Sequence, residues 1–221
     1  MLLDDTLDNY VRRVADFHGC FAKAPGVIIG CYMVEYAMEL IGEPEGKLHA
    51  VSETRVCLTD CIQVMTGCTL GNKYLRLRDD LGRYAFSLYD RDTGDGVRVY
   101  LDLKRIDPED TPELYAFHTR TRDPKVLTDM AFRKQSGLKV VEEFKRVGRK
   151  ALGFEWVHVD LPRKLPLYPS IPCEKCGEPF LRKPQEPNEC GICRGDPYYA
   201  VLEDAPESTE RFRGKRPANC G

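Results

Sequence analysis

The sequence predicts an α+β core domain with an antiparallel sheet and flanking helices, followed by a small treble-clef-like zinc finger. Three observations carry this. Helical periodicity comes first, strand-like runs cluster in the middle, and helical periodicity returns after them, an order that suits α+β rather than alternating βαβ units. Composition then shifts to a stretch marked by Pro162, Pro166, Pro169 and Pro172. Beyond it, four cysteines stand as two Cys-x-x-Cys pairs. These shifts divide the chain into a core domain over 1–160, a proline-rich linker over 161–172, a four-cysteine zinc finger over 173–199 and a charged tail over 200–221.

Taken in order, Asp5 to Ala15 reads as a short helix, acidic in its first turn with Arg12 and Arg13 late, the polarity a helix dipole prefers. Asp16 to Gly26 reads as a loop. Pro25-Gly26 opens a second helix whose apolar positions Ile28, Cys31, Tyr32, Ala37, Met38 and Ile41 recur at three- and four-residue intervals, and Gly42 ends it. Leu48 to Glu53 reads as a strand, and Cys57 to Met65 as a helix stopped by Gly67. Strand-like runs follow at Tyr74 to Arg78, Tyr84 to Tyr89 and Val97 to Leu103, the last two joined as a hairpin through Asp92-Thr93-Gly94-Asp95-Gly96. Pro108 to Leu152 is helical in character, in two pieces broken near Arg122-Asp123-Pro124, and Phe154 to Val159 alternates as a final strand.

The bulk composition excludes several classes. Of 221 residues, 42% are hydrophobic and 31% charged, the balance of a globular chain. A net charge of −2 gives no basic excess to draw the chain to nucleic acid, which is an improbable partner. The longest apolar run, Val27 to Leu40, is interrupted by Gly30, Glu35 and Glu39, too short and too charged for a membrane span. The first residues lack the basic start and long apolar core of a secretory signal, so the expected location is the cytoplasm. In a reducing compartment, ten cysteines point to metal binding or thiol chemistry rather than disulfides.

Cys173, Cys176, Cys190 and Cys193 carry the strongest signal. A two-residue spacer lets both thiolates of a pair turn onto one ion, and glycine after the second cysteine relieves the tight knuckle. Four thiolates suit structural zinc in a closed tetrahedral site, although rubredoxin-like iron uses the same ligands. Thirteen residues separate the pairs, slightly below the zinc-ribbon range of about 15–20, which leaves room for a treble clef. Acidic residues outnumber basic ones in the segment, which favours a folding or protein-contact role over nucleic-acid contact.

A second constellation lies in the core. His18 and Cys20 stand two residues apart in the first loop, while Cys57, Asp60 and Cys61 share one face of a helix. Together they could form an open site for a second transition metal with room for water or substrate, Asp60 serving as a candidate base. The alternative is that helical cysteines simply pack. Among other residues, His118 reads as a solvated helix position, Trp156 as a core or dimer contact, and the basic series from Arg133 to Lys150 as a solvated face.

The blocks Phe17-His18-Gly19, Pro25-Gly26-Val27-Ile28-Ile29-Gly30 and Ser52-Glu53-Thr54, with Cys57-Leu58-Thr59-Asp60-Cys61-Ile62-Gln63 and Thr66-Gly67-Cys68-Thr69, resemble the E-subunit family of formylmethanofuran dehydrogenase. That family shows FHGH before CPG or APG, then ET, DAIQ and TGCT blocks, and the resemblance runs on into the CEKCGE finger. It implies an α+β core, a treble-clef zinc finger in some members, an intertwined homodimer, and a Cys/His metal cluster in the core. Carried over by position, the core ligands are His18 and Cys57, with Cys20 where the family has its second histidine. Asp60, Gln63 and Cys68 match motif positions without an assigned role. The loop before Pro25 is longer by two residues and carries Lys23. The implied function is a metal-binding accessory protein of a molybdenum or tungsten enzyme system. The alternatives are a stand-alone metal-dependent enzyme and a metal sensor acting through the finger.

Overall fold

The computed structural model of the chain describes residues 5–19, 24–43, 46–162 and 166–200. Cys20, Lys23, part of the proline-rich stretch and the tail from 201 onward lie outside the described residues. Contacts divide the chain into two compact units that part between Leu161 and Pro162.

The first unit is α+β, as the sequence predicts. Helix α1, Leu7–His18, starts on Thr6, whose side chain accepts the Asn9 N–H, and ends on Gly19 with φ of 71°. A left-handed glycine lets its own N–H return to the Ala15 and Asp16 carbonyls. The helix therefore runs one turn further than the sequence suggests, and His18 is its last residue rather than part of a loop. Helix α2, Pro25–Ile41, buries Val27, Ile28, Ile29, Cys31, Met33, Val34, Ala37 and Met38, and so has no wide polar face. It is the central helix, packing on α1 and on later elements on every side.

Strand β1, Leu48–Ser52, is followed by helix α3, Cys57–Thr66, which Gly67 closes. The chain then returns through β2, Leu75–Leu77, which pairs parallel to β1 because α3 serves as the crossover. Strands β3, Ala85–Asp90, and β4, Asp95–Leu101, form the expected hairpin. Leu103 falls in a short 3-10 turn instead of the strand. After α4, Pro112–Thr119, a 3-10 turn and α5, Met130–Val147, strand β5, Leu152–His158, pairs with β4. The sheet order is β2-β1-β3-β4-β5, antiparallel except at the β1–β2 edge.

In register across four strands, Leu75, Ala50, Leu88 and Val97 line the buried face of the sheet and are at most 3% exposed. Trp156 continues that row but is 65% exposed, so it is not a core residue. The reason is its edge strand: Phe154 meets Tyr36 of α2 edge-on at 5.7 Å, while Trp156 meets Phe154 at 6.1 Å. His118 departs from expectation the other way. Its ring packs inward against Tyr84, with centroids 5.2 Å apart, and its Nε2 is enclosed without a hydrogen-bond partner. Burial pushes the imidazole down to about 4.

In the second unit a two-stranded antiparallel sheet, β6 over Ser170–Pro172 and β7 over Pro179–Leu181, stands beside the cysteine pairs. No helix of the described residues is long and apolar enough to cross a membrane.

Candidate metal centres

The finger gathers its four cysteines as the spacing demands. The sulfur atoms of Cys173, Cys176, Cys190 and Cys193 all lie within 4.8 Å of one another. Cys176 and Cys190 are 3.9 Å apart, near the edge of about 3.8 Å in a tetrahedron of zinc–sulfur bonds. Backbone N–H groups, first that of Cys176 and then that of Cys190, draw the Cys173 thiol down to about 6. Crowding acts the other way on Cys193, where the neighbouring Cys190 sulfur, burial and the other cysteines push the thiol up to about 12. Four sulfurs this close resist sharing negative charge, and a dication removes that repulsion. Gly177 shapes the turn behind them: its φ of 78° follows the knuckle and lets its N–H donate to the Cys173 carbonyl at 2.8 Å. Among the described residues, this is the only group of three or more potential ligands that converges on one point.

The core arrangement is built by two helices. The end of α1 delivers His18, and the first turn of α3 delivers Cys57 and Asp60. His18 stands between them: Nδ1 is 2.5 Å from Asp60 Oδ2, and Nε2 is 3.5 Å from Cys57 Sγ. Tetrahedral ligands at zinc–sulfur and zinc–nitrogen bond lengths stand about 3.5 Å apart, so Cys57 and the far side of the imidazole have the separation of two ligands on one ion. Asp60 lies behind the ring, in the place from which a carboxylate orients a metal-bound histidine. Its other oxygen accepts from Gln63 Nε2 at 3.3 Å. The His18 and Asp60 side chains are 25% and 26% exposed, so the arrangement opens to solvent.

Cys61 does not join it. One turn deeper, its sulfur is 3.9 Å from Cys31 Sγ and against the carbonyl oxygens of Cys57 and Val27 at 3.2 and 3.4 Å. Burial pushes this thiol well up, as expected of a packed, protonated side chain. Cys68 is likewise buried, its S–H donating to the Leu48 carbonyl at 3.3 Å. The remaining expected ligand, Cys20, lies outside the described residues.

Two glycines make this packing feasible, a role the sequence reading did not give them. A Cβ on Gly26 would stand 2.8 Å from Cys57 Sγ, and one on Gly30 would stand 2.6 Å from Cys61 Sγ. Gly26 and Gly30 lie one turn apart on α2, facing Cys57 and Cys61 one turn apart on α3. The Gly-x-x-x-Gly spacing was the signal that could have found them. Tyr84 closes the same corner, its hydroxyl donating to the Gly26 carbonyl at 2.7 Å.

Known proteins share much of this sequence and fold. The family model described as FmdE, molybdenum formylmethanofuran dehydrogenase operon, matches residues 17–149. A probable S-adenosyl-L-methionine-binding protein of Archaeoglobus fulgidus is 31% identical over 211 residues, covering 89% of this chain and 55% of its own length. The chain thus spans about half the length of that curated relative. The crystal structure of a tungsten formylmethanofuran dehydrogenase FmdE-like protein from Syntrophus aciditrophicus superposes with a TM-score of 0.69 at 31% identity, covering 90% of this chain and 98% of the other.

Proposed function

The chain belongs to the FmdE family, and on that premise we propose that it is a metal-binding accessory protein of a molybdenum or tungsten formylmethanofuran dehydrogenase system. In this reading the core holds a transition metal through His18 Nε2 and Cys57 Sγ, with Cys20 as third donor. Asp60 orients the imidazole, and the finger holds structural zinc. The observation that carries the reading is His18 itself, braced by Asp60 at 2.5 Å on one nitrogen while Cys57 sits 3.5 Å from the other. A thiolate-rich site suits a soft or borderline ion such as zinc. The homodimer and the cytoplasmic location belong to the same proposal.

A stand-alone metal-dependent enzyme is the second reading, supported by the solvent-facing side of the site, where a fourth position could take water. In that reading Asp60, 2.5 Å from the imidazole, is the candidate base.

Elemental analysis of the full chain purified without added metal tests the first reading. Two ions per chain are expected, falling to one in His18→Ala and in Cys57→Ser while the protein stays folded. One ion in the wild type, kept in both variants, would remove the core site. An exchangeable water on the core ion, with loss of a measurable turnover in His18→Ala, would move the balance to the enzyme.

A further inference from the structure

Behind His18 a chain of side-chain hydrogen bonds runs back to a backbone amide, which holds its far end in place. The Leu70 N–H can only donate, and the atom facing it at 3.2 Å is Gln63 Oε1. The other end of that side-chain amide is then Nε2, which also only donates, and it lies 3.3 Å from Asp60 Oδ1. Gln63 thus holds the Asp60 carboxyl by Oδ1 with Oδ2 turned onto His18. A carboxylate oxygen in that place offers only lone pairs, which assigns the hydrogen of the 2.5 Å contact to Nδ1.

Leu70 is itself held in place. Asn72 Oδ1 accepts from the Thr69 and Tyr74 N–H groups at 2.9 and 3.0 Å, and its Nδ2 donates to the Gly67 carbonyl at 2.8 Å. Lys73 takes a positive φ of 66° to let the loop close. Gln63 and Asp60, three residues apart, share one face of α3.

We propose that Gln63, anchored by the Leu70 amide, is a positioning residue that holds His18 as its Nδ1–H tautomer and so presents the Nε2 lone pair on the side of Cys57. The step from tautomer to metal rests on the core-ion reading above. The tautomer itself does not.

Two-bond proton–nitrogen correlation spectra of the chelator-treated full chain read the ring directly, with His18 assigned by its loss in His18→Gln. The wild type should show Nδ1–H, and Gln63→Leu should show a mixture of tautomers. Chelator competition should then find core zinc bound about tenfold more weakly in Gln63→Leu, the lower end of the effect for groups that support a ligand. Finger zinc and thermal stability serve as the fold check. A wild-type ring protonated at Nε2, or a Gln63→Leu chain unchanged in tautomer, overturns the proposal. Should the wild type take up only the finger ion, the core-metal reading falls while the tautomer result still decides this one.

Discussion

His118 illustrates how burial turns one side chain into a pH-dependent contribution to stability. Packed against Tyr84 and with Arg120 adding repulsion, its imidazole is held at about 4 in the folded chain, against an ordinary value near 6.5. Between those values the unfolded chain binds the extra proton and the folded chain does not. Stability therefore rises with pH across that window and is lost as pH falls from about 6.5 towards 4. The effect is at most about 3 kcal/mol by linkage. His118→Phe should flatten the decline of Tm between pH 7 and 4 relative to wild type, as measured by calorimetry. Equal slopes would show that the ring is not sequestered. The sequence could not reveal this: Arg120 and Arg122, close by in the chain, make His118 look solvated, whereas Tyr84 is distant. Of the two readings of Trp156, the core one failed for the converse reason: alternation identifies a strand face but not whether a helix covers it. His18, Asp60 and Cys57 were legible as candidates because their types and helical spacing carry the chemistry. Their roles were not, because only the fold puts Asp60 behind the ring.

Elements were easier to read than their meetings. Nearly every helix and strand follows from periodicity and from the stops at Gly42 and Gly67, and errors fell at ends such as the extra turn of α1. What periodicity leaves out is the α2–α3 crossing, where a glycine pair admits a cysteine pair. Gly30 lies so close to α3 that an added Cβ would meet Cys61 Sγ at 2.6 Å and the Leu58 Cα at 3.3 Å. Backbone cannot swing aside as a side chain does, so Gly30→Ala should destabilise the core by about 1–3 kcal/mol despite the better helix propensity of alanine. Pairing it with Cys61→Ala should recover part of the loss, and a denaturant double-mutant cycle measures the coupling. Strict additivity would mean that the sulfur does not set the crossing distance. On the core-ion reading proposed above, Gly26→Ala acts on metal binding instead. Its Cβ would displace Cys57 Sγ, only 2.8 Å away, so core metal should weaken more than stability does, read by chelator competition beside urea melts.

At the scale of the whole chain, two units draw their stability from different sources. The first has a continuous apolar core running from Tyr10 and Val14 through α2 and the sheet to Leu152. In the second, among residues 166–200, Cys173 alone is buried. Strands of three residues with no apolar interior cannot hold themselves together, and an ion held by the four sulfurs would supply its binding energy as folding energy there. Stripping metal with a strong chelator should therefore melt the finger and leave the core standing. Hydrogen exchange followed by mass spectrometry would show it. The amides of Cys173, Gly177 and Arg194, which donate to Glu178, Cys173 and Cys190, should lose protection, while those of α2 and β3 keep theirs. Cys190→Ser should have the same local effect without a chelator. Protection that survives metal removal in 170–196 would mean that the hairpin folds on its own and that the four sulfurs are not what holds it.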